Sequence, residues 1–408
     1  MPNHRDTLAL AAGLLLLSQP AMAQDFSAQF AEQGIAGTVT ALSAIEDPTP
    51  SDRFALGGAL FLRGIEAAFQ ERYRTGLTDI GVGIPGLYTV LEPNPAPEPF
   101  TPDVIARLFT QIGADMDLAQ EALSPISSDD AVTVTLDLNQ IWFDINANGT
   151  RDAGEDLLPV MVPLFVRPWQ VEDTLAQLDA AGGAPTIAFD TSDAAWLQAY
   201  THVFAGTAEM VLAFDPTEVI TTVQSNAATI TDLRQRPLGT SFVTEDDEAI
   251  SDLITILLKT LAQQPDPAHT RAALEDFRDV ISHNLVFWDR VRAETDNDQE
   301  FIPNNSQQSA LGLLFPANID TAWQAVLKDA AMVLEGKLLI PHWRMGDDVG
   351  INLNAWLTNP TPVDVIGMLA GTDLAPYVER GPLADAQAMN EVNEATGRNF
   401  TLFAFTLN

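Results

Sequence analysis

Hydrophobic positions recur along this chain at helical spacing more often than at strand spacing. Leu60, Phe61, Ile65, Phe69 and Tyr73 fall on one helical face behind Ser51, which can cap the segment, and Gly76 marks its end. Thr101-Pro102 opens a second helix with Ile105, Leu108, Phe109, Ile112 and Met116 on one side. Proline at a first helical position gives up only a donor that has no partner there. Asp190 or Ser192 starts a third, which carries Trp196, Tyr200, Val203, Phe204 and Val211 inward. Thr244 and Asp247 have the spacing of a capping box ahead of Leu253, Ile254, Leu257, Leu258 and Leu261. With Asp252 and Lys259 interspersed, this segment reads as a buried core helix rather than a membrane span. Two more helices are expected from Pro267 to Arg292 and from Asp320 to Gly336.

Strand signals are sparser. Over residues 131–138, Val132, Val134, Leu136 and Leu138 alternate with Thr133, Thr135 and Asp137, the period of a half-buried strand. The apolar run Val160 to Val166 contains Pro163 and is expected at a sheet edge or a bend. The terminal NFTLFAFTLN also alternates and can close a small sheet. Four prolines from Pro93 to Pro99 forbid helix and central strand, so this stretch is an extended connector. The pattern predicts a mainly α, multi-helix globular protein with a small β element. Residues 24–127 form an N-terminal helical region with the proline-rich connector, 128–190 a β-containing insertion and 191–408 a C-terminal helical region. Together 24–408 can pack as one domain.

The first residues change the picture of where the chain works. A polar start with Arg5 precedes the apolar run Leu8 to Leu17, then Pro20 and Ala21-Met22-Ala23. This is the pattern of a secretory signal peptide cleaved after Ala23, and the run is too short to span a bilayer. The mature chain then starts at Gln24 and is periplasmic or secreted, with no membrane insertion. Zero cysteines in an exported chain leave packing and bound ions to stabilise it. Only three of the 20 basic residues are lysine, a usage that fits a GC-rich bacterial genome.

Acidic residues number 56 against 20 basic, a formal net charge of −36. Such a surface repels phosphate backbones and anionic headgroups, which disfavours nucleic acid and leaves cations and a basic envelope protein as partners. Of all these acids, three are tied to a recognisable pattern, and the rest are assigned to solvated loops and helix faces.

That pattern is DINANGTRDAGE, residues 144–155. Asp144, Asn146, Asn148, Gly149, Asp152 and Glu155 stand at positions 1, 3, 5, 6, 9 and 12 of a twelve-residue loop. A hard cation such as Ca²⁺ takes oxygens from alternate side chains at 1, 3 and 5, and glycine at 6 permits the sharp turn. The carbonyl of Thr150 at position 7 adds an oxygen, Asp152 can act through a water, and Glu155 can close the site with two oxygens. These residues resemble an EF-hand calcium-binding loop. The segment before the loop reads as strand and aromatic turn, Leu157-Leu158-Pro159 cuts off a long exiting helix, and position 8 is Arg151. The resemblance is therefore to the solitary loops of dockerins and thrombospondin type 3 repeats, and it implies one structural Ca²⁺. Three carboxylates and two amides imply weak, extracellular-type affinity, about 10⁻⁴ to 10⁻³ M.

Other candidates carry less. Gly81, Gly83 and Gly86 satisfy GxGxxG as text, but a helix end precedes them and a proline-rich connector follows, so a loop is expected. The acidic run Glu294, Asp296, Asp298, Glu300 reads as a solvated loop, with half of a second cation site or an acid/base pair as the alternative. His202 is expected as a hydrogen-bonded core histidine, and His283 has no acid partner at helical spacing. His342 stands close to Asp347 and Asp348. The sequence thus favours a non-enzymatic calcium-binding module, with a periplasmic hydrolase built on His342, Asp347 and Asp348, and on Asp296 and Asp298 as further candidates, as the alternative.

Overall fold

The structure, a computed structural model, describes residues 23–77, 91–234, 245–312, 315–316 and 318–396. The apolar run of the signal pattern, the GxGxxG text, the Thr244 cap and the C-terminal NFTLFAFTLN lie outside the described residues.

The chain is mainly α, with two small three-stranded sheets among the described residues. Helix α1, Ser27–Ser43, is kinked at Gly34, whose φ of +63° is left-handed. Helix α2, Pro50–Thr75, is capped by Thr49 rather than Ser51: Thr49 Oγ1 accepts from the Asp52 amide at 3.1 Å and Asp52 accepts from the Thr49 amide at 2.9 Å. Ser51 serves the sheet instead, accepting from the Thr133 amide at 3.0 Å. The helix ends on left-handed Gly76, where the sequence puts its end. Helix α3, Val104–Leu123, packs closely on α2, with Gly57 against Leu123 where a Cβ would come within 2.6 Å.

Strand β2, Val134–Asp137, lies within the expected 131–138 segment. It pairs in parallel with β1, Gln24–Asp25, and antiparallel with β3, Thr186–Phe189, in the register Val134 to Phe189. The run Val160 to Val166 is not a strand. It belongs to helix α4, Leu157–Phe165, with Val160, Val162 and Pro163 buried. Pro159 stands at the third helical position, where an N–H has no helical partner, so it does not stop the helix. Pro163 forfeits a single bond in a helix of nine residues. Helix α5, Val171–Ala180, leads back to β3.

Helix α6, Thr191–Ala213, starts from an Asp190 capping box in which the Asp193 carboxylate accepts the Asp190 amide at 2.9 Å. It divides two apolar cores. Ala194 and Leu197 join Phe30, Ile35, Leu60, Leu123, Phe143 and Ile145 on one side. Ala195 joins the other core, formed by α9, Pro267–Val291, α10, Ile319–Leu334, α11, Leu353–Thr358, and α13, Gln387–Thr396. A second sheet, β4 (Ile340–Pro341), β5 (Val349–Ile351) and β6 (Val378–Arg380), is antiparallel throughout, and α12, Val365–Ala370, precedes β6.

Helices α7, Thr217–Leu233, and α8, Glu245–Leu261, pack on each other as a hairpin. Helix α8 is not a buried core helix: Leu253, Ile254, Leu257 and Leu258 are all exposed, while Ile250, Ile256 and Leu261 are only half-buried. Among the described residues, no helix is long and apolar enough to cross a membrane.

Candidate functional site

The loop 144–155 is closed at its base by a β-bridge between Trp142 and Asp156. The Phe143 amide donates to the Glu155 carbonyl at 2.9 Å, and the Leu157 amide to the Ile141 carbonyl at 3.1 Å. Inside, the Asp144 carboxylate accepts from the amides of Asn148 and Gly149, both at 2.9 Å. Asn146 Oδ1 accepts from the Asn148 amide at 3.0 Å, and Asn148 Oδ1 from the Thr150 amide at 2.7 Å. The acceptor side chains at positions 1, 3 and 5 are thereby wound around the backbone, and Gly149 takes the φ of +75° that position 6 requires. Ala147 is also left-handed, at +57°, a turn the sequence does not signal.

Asp152 Oδ2 accepts from the side-chain amides of Asn146 at 2.8 Å and Asn148 at 2.7 Å, and these donors hold its carboxyl below the usual range. Glu155 is fully buried. It accepts from the amides of Ile145 (2.9 Å), Asn146 (3.3 Å) and Asp152 (2.8 Å). Burial pushes its carboxyl up, against the pull of these backbone donors. Among the described residues, no three carboxylate or imidazole side chains form a group able to hold a metal ion. The six candidate ligands are three carboxylates, two amides and one carbonyl, and each carboxylate is already engaged by N–H donors. A cation entering here must displace the amide N–H groups from Asp152 and compete with the main-chain donors on Glu155.

Two residues that sequence reasoning passes over fix the loop to the helical body. Glu66 accepts from the Asp144 amide at 2.8 Å, and Gln70, one turn further along α2, donates to the Asp144 carbonyl at 2.7 Å. Glu66 is buried and its carboxyl is pushed up to about 7, chiefly by burial. Their i, i+4 spacing beside Phe69 was the available signal. Trp142 supplies a second anchor: its indole donates to the Phe30 carbonyl at 3.0 Å and packs on Gly34 at the kink of α1. Arg151, at position 8, points to the base of the loop, donating to Asp156 at 2.6 Å and to the Asn139 carbonyl at 2.7 Å. Beyond Asn146 and Ala147 lies a groove of about 1000 Å³ between α2 and α3, with Arg74 and Arg107 on its far wall.

The run 294–300 is not simply a solvated loop. Asp296 and Asp298 are exposed, but Glu300 is buried and Glu294, just past the end of α9, is half-buried against the start of α6. Glu294 accepts from the Ser192 hydroxyl and, at 3.2 Å, from Gln307. The Asp298 amide donates to Glu300 at 2.8 Å, and Arg290 donates to the Thr191 carbonyl at 2.8 Å. Burial pushes Glu294 up to about 7 and raises Asp190, Asp193 and Glu300 as well, with the charge of Asp190 adding to the rise at Asp193, Glu294 and Glu300, while a hydrogen bond with Glu294 opposes the rise at Asp190. The acidity is therefore not confined to solvated surfaces: two groups of carboxylates sit inside the fold.

His202 is a core histidine, its Nδ1 2.8 Å from Asp276 Oδ1. His283 stacks on it with ring centroids 5.4 Å apart. Burial and the His202 ring lower the pKa of His283, while Asp279, four residues back, opposes them; an acid at helical spacing is present after all. His342 Nδ1 accepts from the Arg344 amide at 3.3 Å and its ring lies on Gly371. Asp347 and Asp348 are exposed, and Asp348 pairs with Arg380. The 342–348 turn belongs to the β4–β5 hairpin, whereas the 294–300 segment follows α9 and lies against the start of α6.

No family model matches this chain, and no match to it is found among curated proteins or solved structures. Its functional reading rests on its own residues.

Proposed function

We propose that this protein is an exported calcium-binding module, periplasmic or secreted, in which residues 144–155 hold one structural Ca²⁺. In this reading Asp144, Asn146, Asn148, the Thr150 carbonyl, Asp152 and Glu155 supply the oxygens, and the protein acts by binding or scaffolding rather than by catalysis. The observation that carries it is the winding of Asp144, Asn146 and Asn148 around the amides of residues 148–150, with left-handed Gly149 at the turn. The clamp of Glu66 and Gln70 on Asp144 joins that loop to α2, so an ion there stabilises the first core and not the loop alone. Export rests on the N-terminal sequence pattern, and the groove beside Asn146 is the natural place for a ligand of the binding module.

The test is thermal unfolding of the chain from Gln24 with calcium and with a chelator. Calcium at 100 times its dissociation constant should add about 2.7 kcal/mol to the unfolding free energy. Asp144→Ala should abolish that gain. Because truncating buried Glu155 orphans three backbone amides and can unfold the chain by itself, Asp152→Asn, at an exposed position, is the second variant. An unchanged melting temperature for the native chain between calcium and chelator sinks the proposal.

A further inference from the structure

Helix α8 leaves four of its large apolar side chains exposed to solvent. Leu253, Ile254, Leu257 and Leu258 form a stripe along one side and are 37%, 51%, 55% and 45% exposed. The half-buried positions of the helix are mixed, with Glu248, Asp252 and Thr255 beside Ile250, Ile256 and Leu261, and Arg234 at the end of α7 pairs with Glu248. A helix in water normally hides such a stripe against its own core, and contiguous exposed apolar surface marks a site of interaction. Ile230 and Leu233, near the same end of the hairpin, are exposed as well.

We infer that the outer face of α8 is a docking surface for a cationic amphipathic helix of a partner protein. Stripe geometry argues for a helical occupant: apolar side chains at successive three- and four-residue steps mesh with the same spacing on a helix laid alongside. Charge argues for a cationic one. Asp232, Asp247, Glu248 and Asp252 lie on the hairpin against Arg234 and Lys259, and the chain as a whole is at −36. Such a field accelerates the approach of a basic helix and repels an acidic one. Area and charge together argue against a second copy of this chain. A 17-residue helix is about 25 Å long, and a stripe about 10 Å wide offers about 250 Å² a side, a third of the roughly 800 Å² that each partner of a stable interface contributes. Two copies would bring two like charges of −36 together over that small area. A weak, transient partner of opposite charge meets neither obstacle. The inference stands apart from the calcium reading, since the loop and its anchors belong to a different part of the molecule.

Fluorescence anisotropy at physiological salt with a labelled Leu/Lys amphipathic helical peptide tests it, with a Leu/Glu peptide of the same apolar face as the control. The expected result is binding of the Leu/Lys peptide that weakens about tenfold or more in the Leu257→Ser, Leu258→Ser chain. That double substitution leaves the charge unchanged and touches only exposed side chains, so its melting temperature should match the native one. The Ile366→Ser, Leu369→Ser chain, altered at a separate exposed apolar patch on α12, should bind like the native protein. Equal binding by the 257/258 variant and the native chain overturns the proposal, as does equal binding of the Leu/Glu peptide. A dimer in sedimentation that the 257/258 substitutions dissolve also overturns it, by assigning the face to a second copy.

Discussion

Replacing Glu66 by glutamine should remove a pH dependence of stability that one proton builds into the first core. The side chain is 3% exposed, and its carboxyl rises from 4.5 to about 7. Burial is the largest cause, with the charges of Asp144 and Glu155 adding to it and the Asp144 amide and Arg63 opposing it. A carboxyl whose pKa is raised by folding is a better proton acceptor in the folded chain than in the unfolded one. Its contribution is therefore fully present below the unfolded value of 4.5 and is lost as pH rises through about 7. The separation of about 2.5 units, at 1.36 kcal/mol per unit, sets the loss at about 3 kcal/mol. Glutamine keeps an acceptor oxygen for the Asp144 amide and has no charge to bury. Urea unfolding of both chains between about pH 5 and pH 8 reads the difference directly. The native chain should lose stability relative to Glu66→Gln across that window, by up to about 3 kcal/mol at its alkaline end. Two curves that run parallel refute the argument, because the proton would then make no difference at this site.

Three further outcomes follow from the geometry. Glu294→Gln should flatten the same pH window, with the same sign, since that carboxyl also stands near 7; combined with Glu66→Gln its effect should add within about 0.5 kcal/mol in the same urea experiment, because the two groups share no partner. Gly34→Ala should cost about 1–3 kcal/mol in chemical denaturation, since residue 34 has φ of +63° and an added Cβ would come within 2.9 Å of the Trp142 ring. Arg63→Met should cost about 3 kcal/mol by leaving the nearly fully buried Asp115 without its cation, and adding Asp115→Asn should restore much of the loss in a double-mutant cycle.

Helices whose apolar residues recur at helical spacing were legible in the sequence. Helices α2, α3, α6, α9 and α10 are of this kind, and β2 showed itself by strict alternation. Where the pattern failed, a physical reason can be named. In α1 the buried Phe30 and the buried Ile35, Val39 and Leu42 lie on either side of the Gly34 kink, which shifts the helical phase between them. Helix α7 is rich in β-branched Thr, Val and Ile and buries only Ile220 and Val223, so neither propensity nor periodicity announces it. Helix α4 looked like a strand because Pro163 is read as a helix breaker wherever it stands, although at the end of a short helix it removes little. Helix α8 was assigned correctly as a helix and wrongly as buried, because periodicity fixes which side is apolar and not what lies against it.

The loop was visible because its donors are consecutive, whereas Glu66 and Gln70, which hold it, lie more than seventy residues earlier in the chain. The same limit applies to charge. A formal −36 counts every carboxyl as ionised, and sequence alone has no means of doing otherwise. Folding places Glu66 beside Asp144 and Glu155, and Glu294 beside Asp190 and Asp193, in surroundings that raise several of these carboxyls. Ionising all of them at once costs more than keeping protons on some, so near neutral pH the folded chain carries less negative charge than its composition implies. A cation arriving at residues 144–155 would act on this balance, since added positive charge near Asp144 and Glu155 removes part of what keeps the Glu66 proton in place. On the calcium reading, protons and the metal ion would be competing ways of neutralising one group of acids.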